Sequence, residues 1–268
     1  MPLAVCATPI GNLEDVTLRL LRELREADIV LCEDTRQTRK LLERHGVTAR
    51  LLSYHEHNEA ERTAEVLPRL QAGERVALVT DAGMPAISDP GARLIAAALE
   101  AGVPVTVVPG PAAVETALVA SGFGTDRFQF LGYLPRGAGE RRALWGQLAR
   151  WPHAAVAFES PQRVAGVLAS LAEAMPDRPA AVCRELTKLH EEVARGTVAE
   201  LAERFAGGAK GEITLVIGPA EVEGAADEDA AAAAVAELVA GGVSRREAAA
   251  VVARLTGVPR NKLYRGSL

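Results

Sequence analysis

The sequence has no long hydrophobic run. No window in the 268 residues approaches the roughly 18 uninterrupted apolar residues that a membrane-spanning helix needs. Met1 leads directly into the strand-like run Leu3–Ala7, without the basic and apolar segments of a secretory signal. With 49% hydrophobic and 24% charged residues, the composition is that of a globular protein large enough for two compact domains. We therefore expect a cytoplasmic protein with no membrane partner.

Cysteine is scarce, and its positions carry no pattern. Cys6, Cys32 and Cys183 are far apart, have no metal-ligand spacing, and lie among apolar residues typical of buried strands. The pattern predicts small core residues.

Positive charge is also in deficit. The net charge is −5 and the isoelectric point is about 5.7, which argues against nonspecific nucleic-acid binding, because clustered Lys and Arg normally neutralise phosphates. Any RNA site must therefore be a local patch. Two stretches qualify, Arg136–Arg142 and the tail Arg245–Arg265, although solvated charged faces explain both equally well.

The common nucleotide-binding signatures are missing. No G-x-G-x-x-G follows the first strand-like run, and no G-x-x-x-x-G-K-[ST] occurs anywhere in the chain. These absences argue against NAD-dependent and P-loop enzymes.

The first half alternates short apolar runs with helical patterns, which is typical of a parallel sheet covered by helices. Helical spacing is seen at Thr17–Ala27, and at Gly91–Ala101, where Asp89 is the expected N-cap and Pro90 the first-turn residue. The predicted strands are Leu3–Ala7, Asp28–Cys32, Arg50–Ser53, Val76–Thr80 and Val105–Val108.

The second half predicts a smaller mixed α/β domain. After the strand-like run Arg127–Gly132, the segment Leu134–Gly139 has the composition of a linker. Further strands are predicted at Ala154–Phe158, Pro179–Arg184 and Glu212–Ile217. We therefore expect one domain at residues 1–133, a second at 138–220 and a helical tail at 227–268.

The tail pattern leaves its role open. The stretch Ala225–Val235 is typical of a flexible link leading into a helix. Two helical segments follow, Ser244–Leu255 and Asn261 onward, with Thr256–Pro259 between them. This is helix-turn-helix spacing, but an ordinary helical hairpin with no nucleic-acid role is the more common structure.

The loops after the strands hold the chemically interesting residues, and in open α/β sheets ligands bind at the carboxyl ends of strands. The segment Thr80–Gly91 packs two Asp, two Gly and two Pro between a strand and a helix. Such a rigid loop suits a small ligand held by backbone groups, or is simply a stiff connection. The loops Thr8–Asn12 and Val108–Ala113 have similar compositions.

Polar clusters follow the second and third strands. Glu33–Arg36 and His55–Glu59 are expected at the same rim of the sheet, where His, Asn and carboxylates suit a ribose hydroxyl. The histidine cluster also allows a metal site, but we expect none. The cluster Arg184–Lys188 suits either an inter-domain salt-bridge network or a substrate phosphate.

Taken in order, eight motifs across essentially the whole chain resemble those of ribosomal RNA methyltransferases in the tetrapyrrole methylase superfamily. Each motif is short, so the specificity comes from their number and order. The matching segments are Thr8–Asn12, Glu33–Arg36, His55–Glu59, Asp81–Gly91, Pro109–Pro111, Phe158–Ser160, Arg184–Lys188 and Lys210–Glu212, together with Lys262–Tyr264 in the tail.

The resemblance implies a class III methyltransferase fold, with two α/β domains, a cleft between them and a small helical tail. It also implies S-adenosylmethionine, bound in the cleft without a metal, in a homodimer that 2′-O-methylates a cytidine of 16S ribosomal RNA in the small subunit. The donor-site residues implied by position are Pro9, Gly11, Asp81, Gly83, Pro85, Ile87, Ala112, Ala113, Phe158, Glu159, Leu186, Gly211, Glu212 and Ile213.

The sequence specifies the residues that bind the methyl acceptor less sharply than those that bind the donor. The candidates for removing the hydroxyl proton are Glu33, Asp34, His57 and Lys188, and those for binding RNA are Arg36, His55, Asn58, Arg184, Arg260 and Lys262. Two rival functions are a precorrin- or diphthine-type methylase with the same donor loops, and a noncatalytic binding module. The two polar clusters and the basic tail favour RNA.

Overall fold

The computed structural model describes residues 2–124, 126–220 and 228–266, in two compact units, Met1–Pro219 and Ala220–Leu268. The expected link and tail include residues 225–227 and 267–268 and the side chains of Glu228 and Arg265, which lie outside the described part. Within it, no helix has both the length and the apolar character needed to cross a bilayer.

The first sheet of the larger unit has five strands, all parallel, in the order β3-β2-β4-β1-β5. The strands β1, β2 and β4 are buried along their whole length, as in sheets covered by helices on both faces. The bounds are β1 (Leu3–Cys6), β2 (Ile29–Cys32), β3 (Leu51–Ser53), β4 (Val76–Leu78) and β5 (Val105–Val108), each inside a predicted run.

Five helices alternate with these strands. The first begins as predicted, because the Thr17 side chain accepts a hydrogen bond of 3.0 Å from the backbone N–H of Leu20. The expected start of the fourth is wrong: its N-cap is Gly91, with φ of 142°, so Asp89 lies before the helix and does not cap it. The helices are α1 (Leu18–Glu26), α2 (Thr35–Arg44), α3 (Glu59–Gln71), α4 (Ala92–Glu100) and α5 (Ala113–Ser121).

The second sheet is mixed, in the order β6-β7-β10-β8-β9, with only β6 and β7 parallel to each other. Its strands are β6 (Phe128–Tyr133), β7 (Ala154–Glu159), β8 (Pro179–Arg184), β9 (Glu192–Thr197) and β10 (Ile213–Ile217). Its helices are α6 (Ala138–Leu148), α7 (Val164–Ala174) and α8 (Val198–Arg204).

The segment predicted as a linker is an ordered connection. Leu134 is 2% exposed, and its carbonyl accepts a hydrogen bond of 2.7 Å from Arg163 Nη2. Arg141 donates to the carbonyl of Arg136 at 2.7 Å. Helix α6 already begins at Ala138, inside the predicted linker. The division of the larger unit at residues 133–138 therefore stays a proposal.

Helix α5 connects the two sheets. Its residues Val114, Ala117 and Leu118 share a buried apolar cluster with Ala181 on β8 and Val216 on β10. At its C-terminal end, Arg195 on β9 donates to the carbonyls of Ala120 and Ser121. Burying side chains of this size is worth about 1.5–3 kcal/mol for each of the larger ones, so α5 fixes one sheet against the other.

The three cysteines are buried free thiols, as predicted. Burial raises the pKa of Cys6 to about 12 and that of Cys183 to about 11. Both therefore stay neutral and act as small core residues.

The smaller unit consists of helices in the residues that the structure describes. It contains α9 (Glu228–Ala240), α10 (Arg245–Thr256) and α11 (Arg260–Gly266). Ser244 caps α10, accepting from the N–H of Glu247, and Gly257 ends it with φ of 75°. An apolar cluster that includes Val235, Val252 and Leu263 holds the three helices together.

Gly11 is the point where the loop after β1 meets the loop after β8. A Cβ atom at Gly11 would lie 2.5 Å from Cγ of Lys188 and 2.9 Å from the carbonyl oxygen of Leu186. The backbone N–H of Asn12 donates to Thr187 Oγ1 at 3.0 Å. The missing side chain at Gly11 thus permits a close contact between the two loops of the protein itself.

We predict that Gly11→Ala lowers the free energy of unfolding by about 1–3 kcal/mol, the usual cost of overpacking a tight contact. Chemical denaturation monitored by circular dichroism measures this cost. Gly146→Ala is the matched control, because a Cβ at this exposed position of α6 meets no atom within 4 Å. Equal stability of the two variants would contradict the contact.

Candidate active site

A cavity of about 740 Å³ opens between the two sheets, at the carboxyl ends of the strands of the first. Eleven implied donor-site residues line it: Asp81, Gly83, Ile87, Ala112, Ala113, Phe158, Glu159, Leu186, Gly211, Glu212 and Ile213. The implied residues Pro9, Gly11 and Pro85 are not part of its lining. Of the proposed proton acceptors, only Glu33 lines it.

The loop Thr80–Gly91 has an unusual backbone. Gly83 has φ of 79° and pairs with Thr8 through two backbone hydrogen bonds of 2.9 and 3.1 Å. Ala86 and Ser88 have φ of 68° and 64°, a region that side chains disfavour. The shape of this loop is thus held by hydrogen bonds to the loop after β1.

The loop after β8 has the same property. Glu185 and Thr187 have φ of 52° and 65°. With Ala86 and Ser88, they are the four non-glycine residues of positive φ in the described part of the chain. Such conformations cost about 1–3 kcal/mol each and concentrate at functional sites. Both loops contribute residues to the cavity wall.

The N-terminus of α5 forms another part of the wall. Ala112, its N-cap, makes no side-chain capping bond, so first-turn N–H groups have no capping side chain. A Cβ at the preceding Gly110 would lie 3.0 Å from Cβ of Ala7, so the glycine lets this turn sit close to β1. The turn therefore offers backbone donors to a ligand.

Acidic groups converge at one side of the cavity. Thr80 Oγ1 donates to Glu33 Oε2 at 3.1 Å, and the backbone N–H of Asp34 donates to Asp81 Oδ1 at 3.0 Å. Burial raises the pKa of Asp81, and nearby Glu33 adds to the effect. Burial and the charge of Glu33 raise the pKa of Asp89 to about 6.

The second sheet contributes the carboxylate of Glu159, whose side chain is fully buried and lies beside an arginine. The N–H of Ser160 donates to its Oε1 at 2.7 Å, and Arg163 Nη2 lies 3.2 Å from Oε2, without hydrogen-bond geometry. Burial raises its pKa, and the Ser160 N–H and Arg163 oppose the shift.

Lys188 lies outside the cavity lining and is held by two carboxylates. Its Nζ atom is 2.9 Å from Glu185 Oε1 and 3.1 Å from Glu212 Oε2. Partial burial disfavours the ammonium, but the two carboxylates outweigh it and raise the pKa of Lys188. A lysine that stays protonated is a poor proton acceptor. Arg184 pairs with Glu192 at 2.9 Å, so these ion pairs lie within the second sheet and its loops.

Asp34 shapes its own loop. Its carboxylate caps α2 through the N–H of Arg36 and also accepts hydrogen bonds from the Arg36 guanidinium, the shorter at 2.6 Å. The Arg36 hydrogen bonds hold the pKa of Asp34 at about 2. A carboxylate so stabilised is a weak base, and it lies outside the cavity lining.

The histidine cluster closes the turn after β3. Asn58 Oδ1 accepts from the N–H of His55 at 2.8 Å, and Asn58 Nδ2 donates to the carbonyl of Ser53 at 3.2 Å. His57 is exposed, with its ring 6.0 Å from that of His55. None of these residues lines the cavity, so the expectation of one shared rim holds only for Glu33.

Sequence reasoning missed part of the lining, including Phe130 and Tyr133, and it gave no site role to Asp89 or Ser160, although both lie in motifs of the family resemblance. Asp89 was assigned to a helix cap, and the start of α4 two residues later removes that role. The aromatic positions on β6 had a detectable signal in the strand-like run Arg127–Gly132, but nothing indicated which face it presents.

The smaller unit has a cavity of its own, of about 590 Å³. It is lined by Arg246 on α10 and by Arg260, Asn261 and Tyr264 on α11. Arg260, proposed for RNA binding, is thus part of a basic site with an aromatic ring, whereas Lys262 is not in its lining.

Comparison with known proteins identifies the family. Residues 2–202 match the Tetrapyrrole (Corrin/Porphyrin) Methylases, and residues 225–266 match the RsmI C-terminal HTH domain. The ribosomal RNA small subunit methyltransferase I of Mesorhizobium japonicum is 44% identical over 266 residues, 98% of this chain and 90% of that protein. The protein of the same name from Thermotoga maritima is 45% identical over 216 residues, 80% of this chain and 97% of the relative.

A solved structure agrees in fold. Uroporphyrin-III C-methyltransferase from Thermus thermophilus, complexed with S-adenosyl homocysteine, has a TM-score of 0.56 and 24% identity, covering 81% of this chain and 96% of its own. This likeness confirms the expected fold, and the family match together with the named relatives confirms the expected methyltransferase class. The chain belongs to the tetrapyrrole methylases, and within them to the ribosomal RNA small subunit methyltransferase I family.

Proposed function

We propose that this protein transfers a methyl group from S-adenosylmethionine to the 2′-hydroxyl of a cytidine in the 16S ribosomal RNA of the small subunit. The observation that carries the proposal is the acid-lined cavity between the two sheets, in a chain 44% identical to a protein named for ribosomal RNA methylation.

The cavity suits the donor in size and in charge. Its volume of about 740 Å³ lies in the range of small-molecule sites. The donor carries a sulfonium and an ammonium group, and carboxylates such as Asp81 and Glu33 favour cations. Apolar side chains of Ile10, Phe158 and Leu186 offer surface for an adenine ring. Backbone groups at Ala112–Ala113 offer donors and acceptors for its edge and for the ribose.

When bound, the donor supplies an electrophilic methyl carbon, which an oxygen attacks in line with the departing sulfur. The stiff loops Thr80–Gly91 and Glu185–Lys188 then keep the two reactants aligned, and alignment of this kind can supply much of the rate enhancement. Reactants that fill the cavity displace water from it, which strengthens the electrostatic contacts inside. Neither effect requires a metal.

Of the acceptor-side residues proposed from the sequence, one lines the cavity. This residue is Glu33, which accepts a hydrogen bond from the Thr80 hydroxyl. The other proposed acceptor residues lie outside the lining, and their participation requires the RNA to extend past the rim. The family resemblance also supports the proposal of a homodimer that acts in the cytoplasm, where ribosomal subunits are found.

The basic smaller unit supports an RNA substrate. From Ser244 onward the chain has six basic residues and one acidic residue, Glu247, in a protein of net charge −5. Arg246 and Arg260 lie with Tyr264 around one cavity, an arrangement suited to a phosphate and a stacked base.

The first prediction concerns the product. Ribosomal RNA from cells lacking this protein should miss one 2′-O-methylcytidine in the 16S chain, because the proposed reaction places that methyl group. Mapping of alkali-resistant linkages detects the loss, and a plasmid carrying the wild-type chain should restore it. Unchanged methylation would contradict the proposed substrate, and a lost methyl on a base nitrogen or carbon would contradict the acceptor atom.

The second prediction concerns donor binding. Gly83→Val should abolish S-adenosylmethionine binding, because φ of 79° is strained for a β-branched residue and the cavity wall would shift. Isothermal titration calorimetry measures the affinity. Gly46→Val is the matched control, with φ of 59° and no atom within 4 Å of the added Cβ. A folded Gly83→Val variant with undiminished affinity would move the donor site elsewhere.

The third prediction concerns RNA. Replacing Arg246, Arg254 and Arg260 with Gln should leave donor affinity unchanged and weaken RNA binding, with the salt slope reduced by roughly 0.7 for each lost phosphate contact. Gln at Arg19, Arg50 and Arg150, which are exposed in the larger unit, is the control. Equal losses in both triple variants would show that the smaller unit is no specific RNA site.

A further inference from the structure

Six carboxylates line the cavity between the sheets: Glu33, Asp81, Asp89, Glu115, Glu159 and Glu212. A ribose hydroxyl is a weak nucleophile until its proton leaves, so a group beside it must accept that proton. The best acceptor is a carboxylate with no cation or strong donor already bound to it. The contacts of the six differ in this respect.

Two of the six carboxylates lie beside a positively charged side chain. Glu159 accepts the N–H of Ser160 at 2.7 Å and lies 3.2 Å from the Arg163 guanidinium. Glu212 lies 3.1 Å from the Lys188 ammonium. In both cases a cation already lies beside the carboxylate, at a position that a substrate hydroxyl would have to take.

Two others accept hydrogen bonds from the protein. Asp81 Oδ1 accepts a hydrogen bond from the backbone N–H of Asp34 at 3.0 Å, and Glu33 Oε2 accepts one from Thr80 Oγ1 at 3.1 Å. Glu115 is exposed to solvent on the first turn of α5.

Asp89 is different. Glu33, Asp81 and the hydroxyl of Thr80 act on it, and no cation among the described residues does. The Thr80 hydroxyl has one proton, already donated to Glu33, so the two carboxylates compete for it. Tyr133 on β6 also lines the cavity, and its pKa is raised by burial and by the charge of Asp89.

The backbone holds Asp89 in this position. The preceding Ser88 has φ of 64°, Pro90 follows, and Gly91, the N-cap of α4, has φ of 142°. A conventional helix start would have turned the Asp89 carboxylate onto the helix N–H groups. The observed start leaves the side chain at the cavity wall.

We propose that Asp89 is the catalytic base that accepts the proton of the acceptor hydroxyl, an assignment that rests on the proposed function. The O–H bond breaks as the oxygen forms a bond to the methyl carbon. The carbon–sulfur bond breaks with its electron pair, so the sulfonium becomes a neutral thioether. The proton passes to the Asp89 carboxylate and then to water.

The electrostatics of the site agree with this role. Burial and the charge of Glu33 raise the pKa of Asp89 to about 6. At neutral pH the group is therefore ionised, yet it is a stronger base than an ordinary Asp. A bound cationic donor stabilises the ionised carboxylate and lowers its pKa.

The experiment compares wild type, Asp89→Asn and Asp177→Asn in single-turnover methyl transfer to small subunits from cells lacking the protein, at saturating donor, from pH 4.5 to 8. Asp177 is an exposed residue in the turn before β8, at the opposite end of that strand from the cavity. The wild-type and Asp177→Asn rates should rise with pH and level off. The Asp89→Asn rate should fall by roughly 10²–10⁴-fold and lose this pH dependence.

A second measurement separates chemistry from folding. An Asp with a raised pKa destabilises the fold when ionised: the penalty is absent below the unfolded value of 3.8 and complete above about 6. Asp89→Asn should therefore raise the midpoint of thermal unfolding more at pH 8 than at pH 4.5. Asp177→Asn should leave the midpoint unchanged at both pH values. Asp89→Glu should recover part of the rate and the pH dependence.

Three results would overturn the assignment. Asp89→Asn with the wild-type rate and pH profile excludes Asp89 as the base. A loss confined to donor affinity places Asp89 on the donor side. If the wild-type protein binds the donor but methylates no RNA, the proposed function is wrong, and the assignment of Asp89 as its base is wrong as well.

Discussion

The structure depends on the packing of one helix, α5, against the second sheet. Its buried face, with Ala117 and Leu118, packs on strands β8 and β10, while its first turn forms part of the cavity wall. The helix directly follows β5 of the first sheet, so its packing on the second sheet fixes the position of the two sheets relative to each other. Without this contact the two sets of loops would have no fixed separation, and the cavity would have no defined volume.

The rigid frame allows strained loops at the site. Ala86, Ser88, Glu185 and Thr187 adopt positive φ in the two loops that flank the cavity. At about 1–3 kcal/mol each, these conformations persist only where neighbouring contacts determine them. The Thr8–Gly83 pairing holds one loop, and the contact of Gly11 with Leu186 holds the other. The backbone conformations that cost stability thus lie in the two loops that would orient a ligand.

Much of the fold follows from local pattern. Buried parallel strands such as β1 and β2 are short, continuous apolar runs, which periodicity detects directly. Strand β9 was missed, because Glu192–Thr197 is a polar edge strand recognisable only by its pairing with β8. The polar starts of α2 and α3 were interpreted as acceptor motifs, although Asp34 caps one helix and Asn58 closes the turn before the other.

The site was predictable in part for the same reason. Glycines and prolines in Thr80–Gly91 indicated a ligand loop, and most residues implied for the donor do line the cavity. Which carboxylate lacks a cation is a property of tertiary contacts: Lys188 neutralises Glu212 and Arg36 holds Asp34, whereas Asp89 has no such partner among the described residues. No spacing rule contains that information.

The central claim is that the two strained loops together form the donor site. Hydrogen–deuterium exchange of the full chain, with and without S-adenosylmethionine, tests it most directly. The account predicts slower exchange on donor addition in both Thr80–Gly91 and Glu185–Lys188, together with the first turn of α5. Protection of only one of these loops, or of segments remote from the cavity, would contradict it.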